Sequence, residues 1–198
     1  IYDVYGLQAM QSYMASYFRL NNNIDASSTS KWNWSVGLST HEGFSPVGFT
    51  TSGDIGDLTN PFEGHFDGNN KTIFNLWIDR PSSTYAALFG TAQGASFKNV
   101  NLENVHVRGG VMAGSLGGWL QLCTETIRNC VSSGNIVVYS SGAGGLIGVS
   151  LFNNVSECAS SVNVTALGSE TMIFGGLIGL FDIGTLYNST ASGDINAE

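Results

Sequence analysis

Five letters, GGLIG, occur twice in this chain, at Gly144–Gly148 and at Gly175–Gly179. A degenerate copy, GSLGG, sits at Gly114–Gly118, and ALFG at Ala87–Gly90 is a fourth version. Their leucines, Leu88, Leu116, Leu146 and Leu177, are 28, 30 and 31 residues apart. A second marker follows each copy: FKNV at Phe97, IRNC at Ile127, VSEC at Val155 and LYNS at Leu186, in steps of 30, 28 and 31. Two markers that keep one period in one order make an internal repeat. A period of about 20–50 residues means stacked units, because one unit alone cannot bury its apolar face.

Each unit has one grammar. An apolar strand flanked by glycine leads through a turn to a short strand carrying the x-x-Asn-x marker. An alternating strand follows, as in Asn101–Val107, Asn135–Tyr139 and Val162–Ala166. About three strands per coil result. Stacking places Leu88, Leu116, Leu146 and Leu177 in one apolar column and Phe97, Ile127, Val155 and Leu186 in another. Asn99, Asn129 and Asn188 form an amide ladder, which Glu157 interrupts. A solenoid of roughly four to six coils follows, on the order of 20–30 Å long at about 4.8 Å per coil.

The composition agrees. Charged residues are 11% of the 198 residues, less than half the usual share of about a quarter. Twenty-six glycines with only three prolines argue against a Pro/Gly linker. The net charge is −8, with 7 Lys+Arg and no basic cluster in sequence. That excludes phosphate-backbone binding to nucleic acid and disfavours anionic membrane surfaces. The longest apolar run, Met172–Phe181, is about half of the ~20 residues a membrane span needs, so no membrane insertion is expected.

The three cysteines, Cys123, Cys130 and Cys158, have no CxxC spacing and make neither a disulfide framework nor a zinc site. Cys130 and Cys158 occupy one place in successive repeats. They read as small buried side chains, with a bond between neighbouring rungs as the alternative, since rung spacing falls within disulfide reach.

Residues 2–18 carry helical spacing at Val4, Leu7, Met10, Met14 and Tyr17 or Phe18, with Asp3 placed to cap the start. Lacking a marker, the segment reads as a lid over one end of the stack. The chain divides into that cap and first strand at 1–30, irregular opening coils with loops at 31–84, and the repeats at 85–198. Ala191–Ile195 matches Ser132–Ile136, so the last coil is partial. A continuing segment or another chain is expected over that end, with end-to-end self-association as a further possibility. The absence of an initiator Met and of a signal segment reads as a mature or excised piece.

GGLIG with its trailing marker resembles the GLUG repeat of bacterial surface proteins. The upstream order is similar too: Tyr17-Phe18-Arg19-Leu20, Phe44-Ser45-Pro46-Val47-Gly48, Phe62-x-Gly64-x-Phe66-Asp67-Gly68-Asn69, then Leu88-Phe89-Gly90. The resemblance covers nearly the whole chain. It implies a right-handed parallel β-helix in a secreted or cell-surface protein, often an adhesin. The repeat also accompanies IgA-specific metalloendopeptidases, whose zinc domain is separate, so no catalytic residue transfers here. The chain departs from the pattern at Gly117-Gly118-Trp119, at Ser27–His41 and at Thr50–Asn60.

Candidate chemistry is sparse. HExxH, GxSxG and Walker A motifs are absent. His65 has no partners at zinc spacing, and His106, between Val105 and Val107, reads as a solvated strand face. Glu63, Asp67 and Asp79, or Asp54 and Asp57, are the carboxylates dense enough for glycoside chemistry. Asp54 and Asp57 are a weak Ca²⁺ candidate against a plain polar turn. Trp32 and Trp34 make a sugar-stacking platform or anchor their loop. Sequons occur at Asn33, Asn70, Asn154, Asn163 and Asn188 and matter where the host glycosylates. No cofactor is expected. The expected function is an extracellular structural or adhesive segment of a larger surface protein, with a host or neighbouring-cell protein or glycan as partner. The alternatives are a β-helix that binds or cleaves polysaccharide and an accessory domain of a secreted metalloendopeptidase.

Overall fold

Phe66 pairs in parallel with Phe18 on one side and with Phe97 on the other, so three phenylalanines stand one above another, Phe66 and Phe97 in the core and Phe18 partly buried against it. That column sets the pattern of the computed structural model, which describes residues 1–50, 53–168 and 173–197. Coil after coil pairs in parallel to build a β-solenoid of about four turns with one short helix at its N-terminal end. Phe89, Gly117, Ile147 and Ile178 are register partners in turn, which turns the sequence period of 28, 30 and 31 residues into rung spacing. Met172 of the apolar run and Thr51 and Ser52 of the 50–60 loop lie outside the described residues.

A complete coil has four walls. The first comprises Tyr17–Arg19, His65–Asp67, Ser96–Lys98 and Ile127–Arg128, continued by residues 155–156 and 186–187. The second holds Ile24–Asp25, Thr72–Phe74, Asn101–Gly109, Val131–Val138, Ala159–Ala166 and Thr190–Ala191, with Trp77–Arg80 and Ile195–Ala197 alongside. The third is narrow: Tyr85–Ala86, Met112–Ala113, Gly142–Gly144 and Ile173–Gly175. The fourth holds Phe89–Gln93, Gly117–Gln121 and the first halves of Ile147–Ser156 and Ile178–Tyr187. The sequence grammar merges the third wall with the fourth because only two or three residues separate them, ending in Leu88, Leu116, Leu146 and Leu177, whose side chains are all buried.

The repeated glycines sit where the chain turns between these two walls. A Cβ on Gly144 would lie 2.0 Å from the Ile147 carbonyl oxygen, and one on Gly175 would lie 1.8 Å from that of Ile178. Only a residue without a side chain lets the backbone turn that tightly. The corner between the first and second walls is built differently. Asn99, Asn129, Glu157 and Asn188 take left-handed φ values of 56°, 53°, 53° and 49°, a region asparagine tolerates better than most residues. Asn129 Nδ2 donates to Asn99 Oδ1 at 2.9 Å, and Asn99 Nδ2 donates to Asp67 Oδ1 at 3.0 Å. The interrupting Glu157 keeps the turn and exposes its side chain.

The N-terminal helix runs over Val4–Gln8 and tightens to a 3-10 turn at Ala9–Ser12. Asp3 caps it by accepting from the Gly6 amide at 2.8 Å. Val4, Leu7 and Met10 are buried against the core. The helical spacing extends to Phe18, but the helix does not. Tyr17, Phe18 and Arg19 alternate out, in, out, and that period of two wins because Phe18 pairs with Phe66.

Between the first and second rungs the chain takes a detour, so that Phe18 and its partner Phe66 are 48 residues apart. Ser27–Lys31 is a 3-10 turn, and Trp34–Ser35 pairs antiparallel with Thr40–His41. Phe44, Val47 and Phe62 then return to the core, Val47 bridging to Phe89 and Phe62 to Ala92. Residues 53–60, between Val47 and Phe62, fold over the outer face. Gly56 N donates to the Tyr85 hydroxyl at 2.6 Å, and Leu58 packs on the cluster of Tyr85, Met112, Trp119 and Val149. Trp119, which breaks the repeat pattern in sequence, is the post on which this loop rests.

Candidate functional site

The detour carries Trp32 and Trp34 to different partners. Trp32 N donates to Thr29 O at 3.0 Å, which closes the 3-10 turn and delivers the indole to the N-terminal helix. There it stacks on Tyr5, with centroids 5.3 Å apart and planes 27° from parallel. Asn33 takes a φ of 53°, and its Nδ2 donates to Gly43 O at 2.7 Å. Trp34 therefore heads into the small hairpin, edge-on to His41 at 5.0 Å. Tyr5 and Trp34 are exposed, whereas Trp32 is half-buried against the core, so the stacked pair offers solvent chiefly the Tyr5 ring. Nothing in the sequence singles out Tyr5, because its spacing on the cap says only that it lies off the buried face.

A groove runs from this pair past Gln8, Asn33 and Gln11 into a cleft of about 510 Å³ bounded by Pro46, Phe49, Arg80 and Tyr85. Gln8 brackets Ser45, accepting from its amide at 2.9 Å and donating to its carbonyl at 2.8 Å. Gln11 donates to the same carbonyl at 2.8 Å. Arg80 donates to Phe44 O and Ser45 Oγ and pairs with Glu42 at 2.9 Å. Burial lowers the Arg80 pKa, and the Glu42 carboxylate opposes that shift. These polar groups are engaged with the protein, and aromatic surface lies along the groove from Tyr5 and Trp32 to Phe49 and Tyr85. It suits a hydroxylated ligand laid against a ring.

The other sequence candidates separate. Asp57 accepts from the hydroxyls of Thr50, at 2.6 Å, and of Thr59, while its amide donates to Asp54 O. That is the bonding of a polar turn, and among the described residues no group of three or more His, Cys, Asp or Glu is placed to hold a metal ion. Asp67 lies on the first wall beside Lys98, whereas Asp79 is buried on the second wall against Arg108 at 3.2 Å. Glu63 is exposed. His65 Nδ1 lies 2.6 Å from Ser96 Oγ, and Tyr17 stacks on its ring at 4.0 Å.

The solvated reading of His106 needs correction. It is half-buried because Trp77, on the neighbouring rung, covers its ring, and its Nε2 is buried with no hydrogen-bond partner. Cys130 and Cys158 are free buried thiols, and Cys123 is free as well. Cys130 Sγ donates to Arg128 O at 3.3 Å and Cys158 Sγ to Ser156 O at 3.2 Å. All five sequon asparagines are exposed. Four already serve the fold: Asn33 through Gly43, Asn70 by accepting from Asn129, Asn154 from Thr185 and Asn163 from the Asp194 amide. Asn188 sits at a left-handed corner.

No family model matches the chain. Over 150 residues, 75% of its length, it is 36% identical to Halomucin from Haloquadratum walsbyi (strain DSM 16790 / HBSQ001), and it spans 2% of that protein. Among solved structures, a putative immunoglobulin A1 protease from Bacteroides ovatus matches 100% of this chain and 66% of its own, with a TM-score of 0.66 and 18% identity. Among the described residues no helix is long and apolar enough to cross a membrane. The likeness to the solved structure is one of fold, and the likeness to Halomucin joins three quarters of this chain to a small stretch of a far longer protein.

Proposed function

We propose that this chain is an extracellular β-solenoid segment of a larger surface protein, acting as a stalk that presents a binding surface. The observation that carries this reading is the 36% identity to Halomucin over 75% of the chain, a relative whose name is that of a mucin. The fold supports it. Coils that touch only their neighbours make a rigid spacer, and the detour beside the cap leaves Tyr5, Trp32 and Trp34 on its surface. An antibody against this chain, applied to intact and to permeabilised cells that express the protein, tests the location. Labelling of intact cells that external protease removes is expected; labelling confined to permeabilised cells would refute it. On a glycan array, loss of signal when Trp32 and Trp34 are both replaced by alanine marks a binding module, and no signal from the unaltered chain marks a passive stalk.

A second reading is favoured by the whole-chain fold likeness to the putative immunoglobulin A1 protease: an accessory domain of a secreted metalloendopeptidase. It requires an HExxH-bearing zinc domain elsewhere in the same precursor, which sequencing the full gene decides. Cleavage of polysaccharide is the weaker alternative, since Asp67 and Asp79 stand on different walls. Product release from a polysaccharide panel, lost on Asp67→Asn, would revive it.

A further inference from the structure

The outer face of the first wall gathers charge that the sequence scatters. Register partners place Arg19, Asp67, Lys98 and Arg128 in one column across four successive rungs, at about 4.8 Å per rung. Three of the 7 Lys+Arg of a chain with net charge −8 thus share one stripe, and Asp67 is the column's one acid. Asp67 is largely occupied: Oδ1 accepts from Asn99 at 3.0 Å and from the Asn69 amide at 2.8 Å, while Lys98 stands 4.0 Å from Oδ2. Arg19 donates to Asn69 Oδ1 at 2.6 Å. Arg128 is exposed, and its guanidinium has no hydrogen bond or ion pair among the described residues. Beside this column, on the same face, runs a second one of Tyr17, His65 and Ser96, and Tyr17 is 80% exposed.

We propose that this stripe binds an acidic polysaccharide, carboxylated or sulfated, laid across the rungs. The proposal deepens the binding-surface reading above and rests on it. The cations stand on the first, third and fourth rungs with Asp67 on the second, so they are separated by whole multiples of the rung spacing, which suits a polymer with regularly repeated anions. The groove between the columns holds about 210 Å³, and its polar lining includes Tyr17, Arg19, His65, Asp67, Lys98 and Glu125. That is below the roughly 300–1,000 Å³ of sites that bury a whole small molecule, so it takes one unit of a chain that continues beyond it. A flat exposed ring beside guanidinium and ammonium groups serves a sugar face and its acid together. An acidic peptide has less use for the ring. Glu125 at the margin penalises a ligand whose anions are out of step.

The test is binding of the whole chain to immobilised polygalacturonate, dextran sulfate, neutral dextran and polyglutamate at about 0.15 M salt, where screening is physiological. Wild type is expected to bind one or both acidic polysaccharides and to ignore dextran, and the preferred polymer names the anionic group. Lys98→Gln with Arg128→Gln should weaken binding on the order of tenfold or more through lost charge-assisted hydrogen bonds and flatten its salt dependence. The control pair Lys31→Gln with Lys71→Gln, equal in charge loss but off the stripe, should bind as wild type, and circular dichroism verifies that both variants fold. Equal weakening by the two pairs, or equal binding of polyglutamate, would overturn the proposal. Retained binding that vanishes on Trp32→Ala would also overturn it while leaving the binding-surface reading intact. No binding to any polymer, with intact cells still labelled by antibody, refutes the stripe alone.

Discussion

Trp77 and His106 lie face to face on neighbouring rungs, with ring centroids 3.6 Å apart and planes 9° from parallel. The stack buries the imidazole, which lowers its pKa from 6.5; Asp79 opposes that shift and Arg108 adds to it. The unfolded chain therefore takes up a proton that the folded chain resists. This contribution to stability is fully present above the unfolded pKa of 6.5 and is lost as pH falls below it toward the folded value. Denaturant unfolding between about pH 8 and pH 5 should show stability declining with acid more steeply in wild type than in His106→Phe, which keeps a ring against Trp77. Parallel curves would mean that His106 titrates normally.

Asn129 holds two roles at its corner, a left-handed φ of 53° and a rung-to-rung hydrogen bond to Asn99. Asn129→Gly keeps the first and loses the second, whereas Asn129→Ala loses both. The alanine variant should cost about 1–2 kcal/mol more than the glycine variant, from left-handed strain in a residue with a Cβ. Thermal melts of the two variants decide it, and equal melting temperatures would show that the ladder alone matters.

Glycines at the corner between the third and fourth walls should behave unlike a glycine in the open. Gly144→Ala forces a Cβ to 2.0 Å from the Ile147 carbonyl oxygen and 2.5 Å from the Gly179 amide nitrogen. Overpacking of this kind costs typically about 1–3 kcal/mol, and more where the obstacle is backbone. A Cβ on Gly37 would meet nothing within 4 Å, and the backbone there has no positive φ, so Gly37→Ala should be neutral or stabilising by up to ~1 kcal/mol. Urea midpoints for the two variants test the contrast.

The thiols should be silent in the native state. Burial pushes Cys123 up to about 12 and raises Cys130 well above its ordinary value, whereas the hydrogen bond with Cys130 lowers Cys158, which burial alone keeps from reagent. Cys123 is partly buried as a residue. Ellman's reagent at about pH 8, near the pKa of an unperturbed thiol, should find fewer than one reactive group per folded chain and all three in denaturant. Finding one in denaturant would reveal a bond between Cys130 and Cys158 and raise the stability of the last coils.

The stack was legible because a repeat forces it. Leucines 28 to 31 residues apart have one economical arrangement, and their columns follow. The N-terminal cap was legible in kind but not in length, since Tyr17-Phe18-Arg19 satisfies helical and strand periods equally and only the pairing with Phe66 decides. Contacts between the detour and the cap were not legible. Tyr5 and Trp32 meet because of how two non-repeating segments dock, and nothing in either segment names the other. The basic stripe was within reach. Aligned on their inward residue, Tyr-Phe-Arg at 17, His-Phe-Asp at 65, Ser-Phe-Lys at 96 and Thr-Ile-Arg at 126 place the charges in one column. The first step of 48 residues hid it, since a search at the period of the later coils misses the first rung.

That long first step shows how little a detour costs in this architecture. Closing a flexible loop becomes harder only with the logarithm of its length, about 0.6 kcal/mol for each doubling. The rung that follows regains its register at His65 regardless. A corner of such a stack is therefore a permissive insertion point. New peptide can be spliced into it, trimmed or exchanged while the interior columns carry on unaltered, and the surface of the rod can diversify without renegotiating its core.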